Sequence, residues 1–369
     1  MRALIGHLRE LGWDARQCFA VGETAYRAAG SRPARLLLRL RMYGLYPLQL
    51  AARLLSSRSP AVLVVTSNTF YAPFIACVLG SRRHRVVHLL YDLFPDALVQ
   101  AGVLRPGSPV HRIMDRLAGA MLARADDNIF LGERLLAHAS RRFGEVHAPG
   151  VIPVGADDAS LPGEPSAAKA KPGEPPELLY CGNFGHLHDE GALAGALELL
   201  AREGALAPGR LRVRIHASGP RCAALRGRVE GLAGVAFGGF LAGEAWARAM
   251  RGADAGLVTM KPGAETVVMP SKAYSALLAG QAIIAVAPAV SDLASLVRRH
   301  ECGWVIEPGN APALAGLLRS LPERRDELRR CQENARDAAP GYSARSVSRR
   351  WDALLRGQGA GGAAGSPVA

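Results

Sequence analysis

Residues 264–288 read AETVVMPSKAYSALLAGQAIIAVAP, from Ala264 to Pro288. Punctuating residues divide the stretch into three pieces. An extended apolar run, Thr266 to Met269, reaches Pro270; a helical run opens at Ser271-Lys272 and stops at Gly280; a β-rich run follows from Ala282 to Val286. Pro270 suits a helix start, because it has no N–H to donate and its φ is already helical. Ser271 is a residue type that caps the free amides of a first turn. A helix start with exposed N–H groups, a hydroxyl and a lysine suits a diphosphate.

Composition makes the lysine informative. The chain holds 41 arginines but only four lysines, Lys169, Lys171, Lys261 and Lys272. The first two lie in a Pro-rich stretch, and the other two bracket this segment. A sequence that writes nearly every cation as Arg keeps a compact point charge here, and lysine meets phosphate as a point charge. The same residues also suit an ordinary capped helix with a solvated lysine.

Outward from this stretch, short apolar strands alternate with helices, the texture of a layered α/β domain. Upstream, strands are expected at 177–181, 212–217, 235–240 and 255–260, with helices at 191–203, 222–232 and 245–251. Downstream come a helix at 292–300, a strand at 303–306 and a helix at 311–321. In the first half, 61–66 (AVLVVT) and 85–91 (RVVHLLY) are continuous apolar runs of the kind found in buried parallel strands. A helix at 71–79 lies between them. A strand at 127–130 and helices at 110–124 and 133–143 follow, and the chain opens with a helix within 1–11 and a strand at 15–21.

At 369 residues the chain exceeds one ordinary domain, and two of about 150–180 residues are expected. The first spans 1–155. A Pro-, Gly- and charge-rich linker occupies 156–176, and the second domain spans 177–335. A C-terminal helix at 336–354 is expected to cross back, ahead of a low-complexity disordered tail at 355–369.

Residues 1–150 hold 20 Arg, no Lys and 10 acidic residues, so this half carries +10 of the chain's +13. It is expected to face something anionic, such as a bilayer or a lipid phosphate. It lacks the aromatic-interleaved basic stripe of a nucleic-acid binder. Within it, SRPARLLLRLRMYGLYPLQLAARLLSS (31–57), with Pro47 expected to kink it, has the make-up of a helix that lies in a membrane interface. A helix packing its Leu face on a sheet is the preferred reading. Six cysteines without a CxxC read as reduced and buried. The charged start MRALIGHLRELGWDARQ is no signal peptide, and the longest apolar run, 60–80, is too broken to span a bilayer. The expected location is cytoplasmic, in association with the inner face of the plasma membrane.

In open α/β sheets, ligands sit beyond the carboxyl ends of the strands. Three loops of the second half lie at such ends: Gly182-Asn183-Phe184-Gly185, Ser218-Gly219-Pro220, and Lys261 to Lys272. YCGNFGHLHD, ADAGLVTMKPGAETVVMPSKAYSALLAGQAIIAVAP, ECGWVIEPGN and, in the first half, HLLYDLFPDALVQAGVL resemble the matching segments of GT-B glycosyltransferases of family 4. The likeness is strongest to members that build bacterial exopolysaccharide and lipid-linked glycans, and it extends to about residue 350. It implies two Rossmann-like domains facing each other across a cleft. It also implies a nucleotide-sugar donor, UDP-sugar by expectation, no obligatory metal or cofactor, and retention at the anomeric carbon. Carried over by position, Gly182, Asn183, Phe184 and Gly185 face the donor diphosphate. Met269, Pro270, Ser271 and Lys272 present amides and an ammonium to diphosphate and sugar. Lys261 and Glu265 sit on the preceding loop, with Glu265 placed to accept sugar hydroxyls. Asp92 faces the acceptor, as a catalytic group or as a cap for the following turn.

Three departures accompany the likeness. Val267 and Ser275 stand where many members carry two glutamates, leaving Ser275 for a ribose hydroxyl and Glu265 as a substitute. His186 and His188 replace the usual Arg/Lys pair and are read as surface residues. The chain opens inside what resembles the family's first helix, so either the start lies further upstream or the N-terminal sheet lacks its first strand. The rival readings are a sugar-nucleotide epimerase and a catalytically degenerate nucleotide-sugar binder.

Overall fold

The computed structural model describes residues 2–19, 31–57, 59–67, 69–80, 83–161, 174–207 and 209–357. Its contacts group into two compact units. One comprises Met1–Val99, Leu104–Ile152 and Arg350–Ala369, the other Gln100–Val103 and Pro153–Arg349.

The first unit contains a parallel sheet of β1 (Val62–Thr66), β2 (Arg85–Leu90), β3 (Asp127–Phe130) and β4 (Pro149–Val151), in the order β1-β2-β3-β4. Parallel neighbours need crossover connections. Tyr71–Ile75 with its π-helical continuation Ala76–Gly80, Pro109–Arg124 and Glu133–Phe143 supply them. Val86, Val87, Ile129 and Phe130 are fully enclosed. Arg85 clasps both carboxylate oxygens of Asp127, at 2.8 and 2.9 Å, and so ties β2 to β3.

One expectation fails here and another holds in part. Residues 15–19 form no strand; positions 20–21 of that expected strand lie outside the described residues. Residues 31–57 form two helices, Arg32–Leu40 and Tyr46–Ser56, joined by a π-helical turn, Arg41–Leu45. In that turn the Tyr46 N–H reaches back to the Arg41 carbonyl, and Pro47 next to it has no N–H to restore ordinary α spacing. Of the second helix Tyr46 and Leu54 are buried. Leu54 and the half-buried Leu50 pack with Val86 of β2 and with Leu63 and Val65 of β1. Part of the Leu face thus meets the sheet as preferred, while Leu48 and Leu55 stay exposed.

The second unit is built on a six-stranded parallel sheet. Its strands are β5 (Glu177–Asn183), β6 (Arg212–Ser218), β7 (Val235–Gly238), β8 (Ala255–Thr259), β9 (Ala282–Val286) and β10 (Gly303–Ile306). They lie in the order β10-β9-β8-β5-β6-β7. β8 and β9 are buried at every position, which is why they read as unbroken apolar runs. From β5 the chain builds outward through β6 and β7, then returns to the other side of β5 with β8. The order therefore reverses between β5 and β8, a topological switch point.

Two further corrections follow. Thr266 to Met269 is not extended: Ala264–Thr266 is a 3₁₀ turn entered through Gly263, whose φ of 86° is left-handed. Val268 N–H bonds the Ala264 carbonyl at 3.0 Å and the Thr266 hydroxyl bonds the Gly263 carbonyl at 2.7 Å, so local bonds replace a ladder. The expected helix at 336–354 is divided, because Pro340 and Gly341 interrupt it. Arg325–Ala338 ends first, Ala339–Tyr342 turns, and Ala344–Leu355 follows. Of the expected linker, Asp158–Ser160 is a short 3₁₀ turn, and 162–173 lie outside the described residues, as do 358–369 of the tail.

Candidate functional site

The carboxyl end of β5 borders the switch point, and Lys272 lies across it. Gly182 has a φ of 131°, and a Cβ there would stand 2.9 Å from Lys272 Cε. Only glycine tolerates both that backbone and that approach. The Lys272 ammonium donates to the Asn183 carbonyl at 2.9 Å and to His188 Nε2 at 3.0 Å. It also sits 5.4 Å from the centroid of the Tyr180 ring, within cation–π range. His188 Nδ1 lies 2.6 Å from the Thr259 carbonyl at the end of β8. A carbonyl accepts only, so Nδ1 carries the proton and Nε2 is the acceptor for lysine. His188 thus spans the two strands that flank the switch point.

Electrostatics separates this lysine from its neighbours. Burial lowers the Lys272 ammonium to about 8. Burial, followed by the Lys272 charge, lowers His188 to about 3, so the imidazole is neutral at physiological pH. The partners of Lys272 (a carbonyl, an imidazole and an aromatic ring) carry no negative charge. Lys261, by contrast, lies 3.7 Å from Glu190 Oε2, and Arg221 bonds the same carboxylate. Burial alone would raise Glu190, but the Arg221 hydrogen bond and the nearby Lys261 hold it below its ordinary value. Lys261 and Arg221 are therefore compensated, whereas Lys272 has no carboxylate partner among the described residues.

The other loops converge on the same turn. Phe184 N–H donates to the Ser218 carbonyl at 2.6 Å. Gly219, at φ 115°, passes so close that a Cβ would lie 2.3 Å from Asn183 Oδ1. Asp189 caps the helix Glu190–Arg202 through Ala192 N–H at 3.0 Å and accepts from Gly309 N–H at 2.7 Å, tying in the EPGN segment. Phe184 itself is fully enclosed against Tyr180 and His188, with centroids 4.6 and 5.4 Å apart. Its side chain shapes the turn and cannot touch a ligand.

On the Lys261 to Lys272 loop, Glu265 Oε2 is buried without a hydrogen-bond partner. Met269 and Pro270 are buried, Ser275 is half-buried, and Val267 belongs to the core. Ser271 differs from expectation: it is exposed and its side chain caps nothing, because its backbone (φ −64°, ψ −18°) is already helical. A capping side chain reaches forward from an extended backbone.

Asp92 belongs to the first unit. It lines a pocket with Ser67, Phe70, His88, Phe94 and Met121, and burial raises its carboxyl to about 6. Ser67 Oγ accepts from the backbone N–H groups of Tyr91 and Asp92, at 3.0 and 3.2 Å, holding the strand end in place. The Asp92 carboxylate caps no helix among the described residues. His88 on the same pocket is buried, and burial lowers its imidazole to about 4, with the Asn128 side chain opposing the shift.

Sequence reasoning missed three members of the site. His186 is exposed as expected, but His188 is not a surface residue; it is packed behind Lys272. Glu190 and Arg221 went unremarked. The Glu190 position, first in a helix capped by Asp189, was a usable signal; Arg221 was one arginine among 41.

No protein-family model matches the chain. A probable glycosyltransferase of Pseudomonas aeruginosa, WbjE, is 28% identical over 287 residues, which cover 73% of this chain and 66% of the relative. Among solved structures, sucrose-phosphate synthase from Thermosynechococcus elongatus superposes with a TM-score of 0.70 at 17% identity, covering 97% of this chain and 92% of the other. Anabaena HepE in complex with UDP gives 0.63 at 15% identity, covering 86% and 84%. With two parallel α/β sheets of this topology and these likenesses, the chain has the GT-B glycosyltransferase fold.

Proposed function

We propose that the chain is a retaining glycosyltransferase. It takes a sugar from a nucleotide-diphosphate donor, by preference a UDP-sugar, and delivers it to a lipid-linked or growing envelope glycan at the cytoplasmic face of the membrane. The observation that carries this reading is Lys272, a partly buried ammonium with neutral partners at the switch point of a parallel sheet. A departing diphosphate develops negative charge. A cation already held in position stabilises that charge without reorganisation. In this reading Lys272 and the backbone of residues 269–272 meet the diphosphate, with no obligatory metal. Glu265 Oε2 accepts sugar hydroxyls, Ser275 bonds the ribose, and Asp92 takes the proton of the acceptor hydroxyl. The UDP held by Anabaena HepE supports the choice of nucleotide.

A second reading rests on Val267. A core side chain occupies the position where the resemblance places a glutamate, which suits a protein that binds the donor without turnover. Purified protein incubated with UDP-glucose and membrane extract separates the two. UDP release above the protein-free control, lost in Lys272→Ala, is the expected result. UDP binding by calorimetry with no release would establish the inert binder, and turnover unaffected by Lys272→Ala would remove Lys272 from the mechanism.

A further inference from the structure

The two helices Arg32–Leu40 and Tyr46–Ser56 leave a row of large apolar side chains in solvent. Leu36, Leu37, Leu40, Tyr43, Leu48 and Leu55 are each 59–68% exposed. Leu36 and Leu40, four residues apart, share one face of the first helix; Leu48 and Leu55, two turns apart, share one face of the second. Single exposed leucines are ordinary, but a contiguous apolar row on one surface element marks an interaction site. Residues 31–57 contain no Asp or Glu. Arg35, Arg39, Arg41 and Arg53 are all exposed beside the leucines. The surface is thus apolar and uniformly cationic, with an aromatic residue of the type found at membrane–water boundaries.

We infer that this two-helix face docks on an anionic bilayer, its leucines entering the acyl boundary and its arginines meeting lipid phosphates. Charge complementarity selects the occupant. A bilayer rich in anionic lipid matches the exposed Arg39, Arg41 and Arg53 on a segment without Asp or Glu. The two helices are held from behind by Tyr46 and Leu54 and by Tyr71, whose hydroxyl bonds the Met42 carbonyl, so the face is presented as a fixed surface. No helix among the described residues is long and apolar enough to cross a membrane, and attachment of this kind needs none. The inference concerns a surface outside the proposed donor site and does not depend on the reaction.

The test is flotation of the full chain with vesicles of phosphatidylcholine and phosphatidylglycerol at about 2:1, with pure phosphatidylcholine as the control. The expected result is binding to the anionic vesicles only, weakened by added salt. Leu37→Asp with Leu40→Asp removes it. Arg39→Gln and Arg41→Gln each weaken it about fivefold. Both leucines are exposed, and an unchanged circular dichroism melt confirms that the double variant folds. Equal binding to neutral vesicles, or none to either, overturns the inference. So does self-association in analytical ultracentrifugation that disappears in the leucine variant without any vesicle binding, since a second copy would then cover the face. UDP release from UDP-glucose, followed in the same samples, reports separately on the transferase reading.

Discussion

The two sheets of this protein are alike in kind and differ in order. In the first unit β1 to β4 follow one another across the sheet; in the second, the order reverses between β5 and β8. Both place an ionisable group just past a strand end, and burial disfavours the charged form of each. It raises the Asp92 carboxyl to about 6 and lowers the Lys272 ammonium to about 8. The surroundings of the two groups differ. Reversal in the second sheet brings two strand ends and their loops to one place, so Lys272 is held by groups from both β5 and β8 through His188. Among the described residues, Asp92 is anchored by its own strand end and Ser67. A reversal supplies a supported cation, whereas a sequential sheet supplies a group enclosed mainly by apolar side chains.

The strongest way to break this contrast is Lys272→Ala. It should lower kcat/KM for the donor by about 10²–10³-fold, in line with the loss of one pre-aimed electrostatic group. Steady-state assays of UDP release measure it, and a change within twofold would end the special status of the switch point. Asp92→Asn should lower kcat by about 10²-fold. In the parent protein, activity should be retained above about pH 6 and fall as the carboxyl protonates below it. The variant should lack that acidic limb in a pH–rate profile.

His188→Ala should weaken UDP binding about tenfold, because the lysine loses one of its two hydrogen-bond acceptors. His188→Gln keeps an acceptor and should recover most of the loss in calorimetry. The smallest effect is in pH. Lys272 must be protonated to hold a diphosphate, so donor affinity should be constant below about pH 8 and decline above it, by less than about tenfold over the next unit. Lys272→Arg should remove that decline, since guanidinium stays charged.

The sequence showed these two regions unevenly, for physical reasons. The strands at β3, β9 and β10 were legible to the residue, β9 because a buried parallel strand reads as an unbroken apolar run. β4 is only Pro149–Val151, too short for a pattern. The helix Arg325–Ala338 was hidden by its charge, since its buried stripe is confined to Leu328, Cys331, Gln332 and Ala335. Thr266 to Met269 misled because an apolar run does not distinguish a strand from a turn with Val267 and Met269 buried. Lys272 stood out through its rarity, and Gly182 through the GNFG turn. His188 did not, because its burial depends on Tyr180, Phe184 and Lys272, contacts made only once β5 and the Lys272–Leu278 helix come together.

One steric detail reaches beyond a single protein. Because the lysine's methylenes run over Gly182 with no room for a methyl group, positions 182 and 272 are sterically coupled. Homologues that retain the ammonium should be invariant at the glycine ninety positions earlier. Lineages that discard it lose the steric half of that constraint and keep the torsional half, since a φ of 131° still favours glycine. A homologue with a larger residue at the glycine position should therefore have lost the ammonium over the strand end as well.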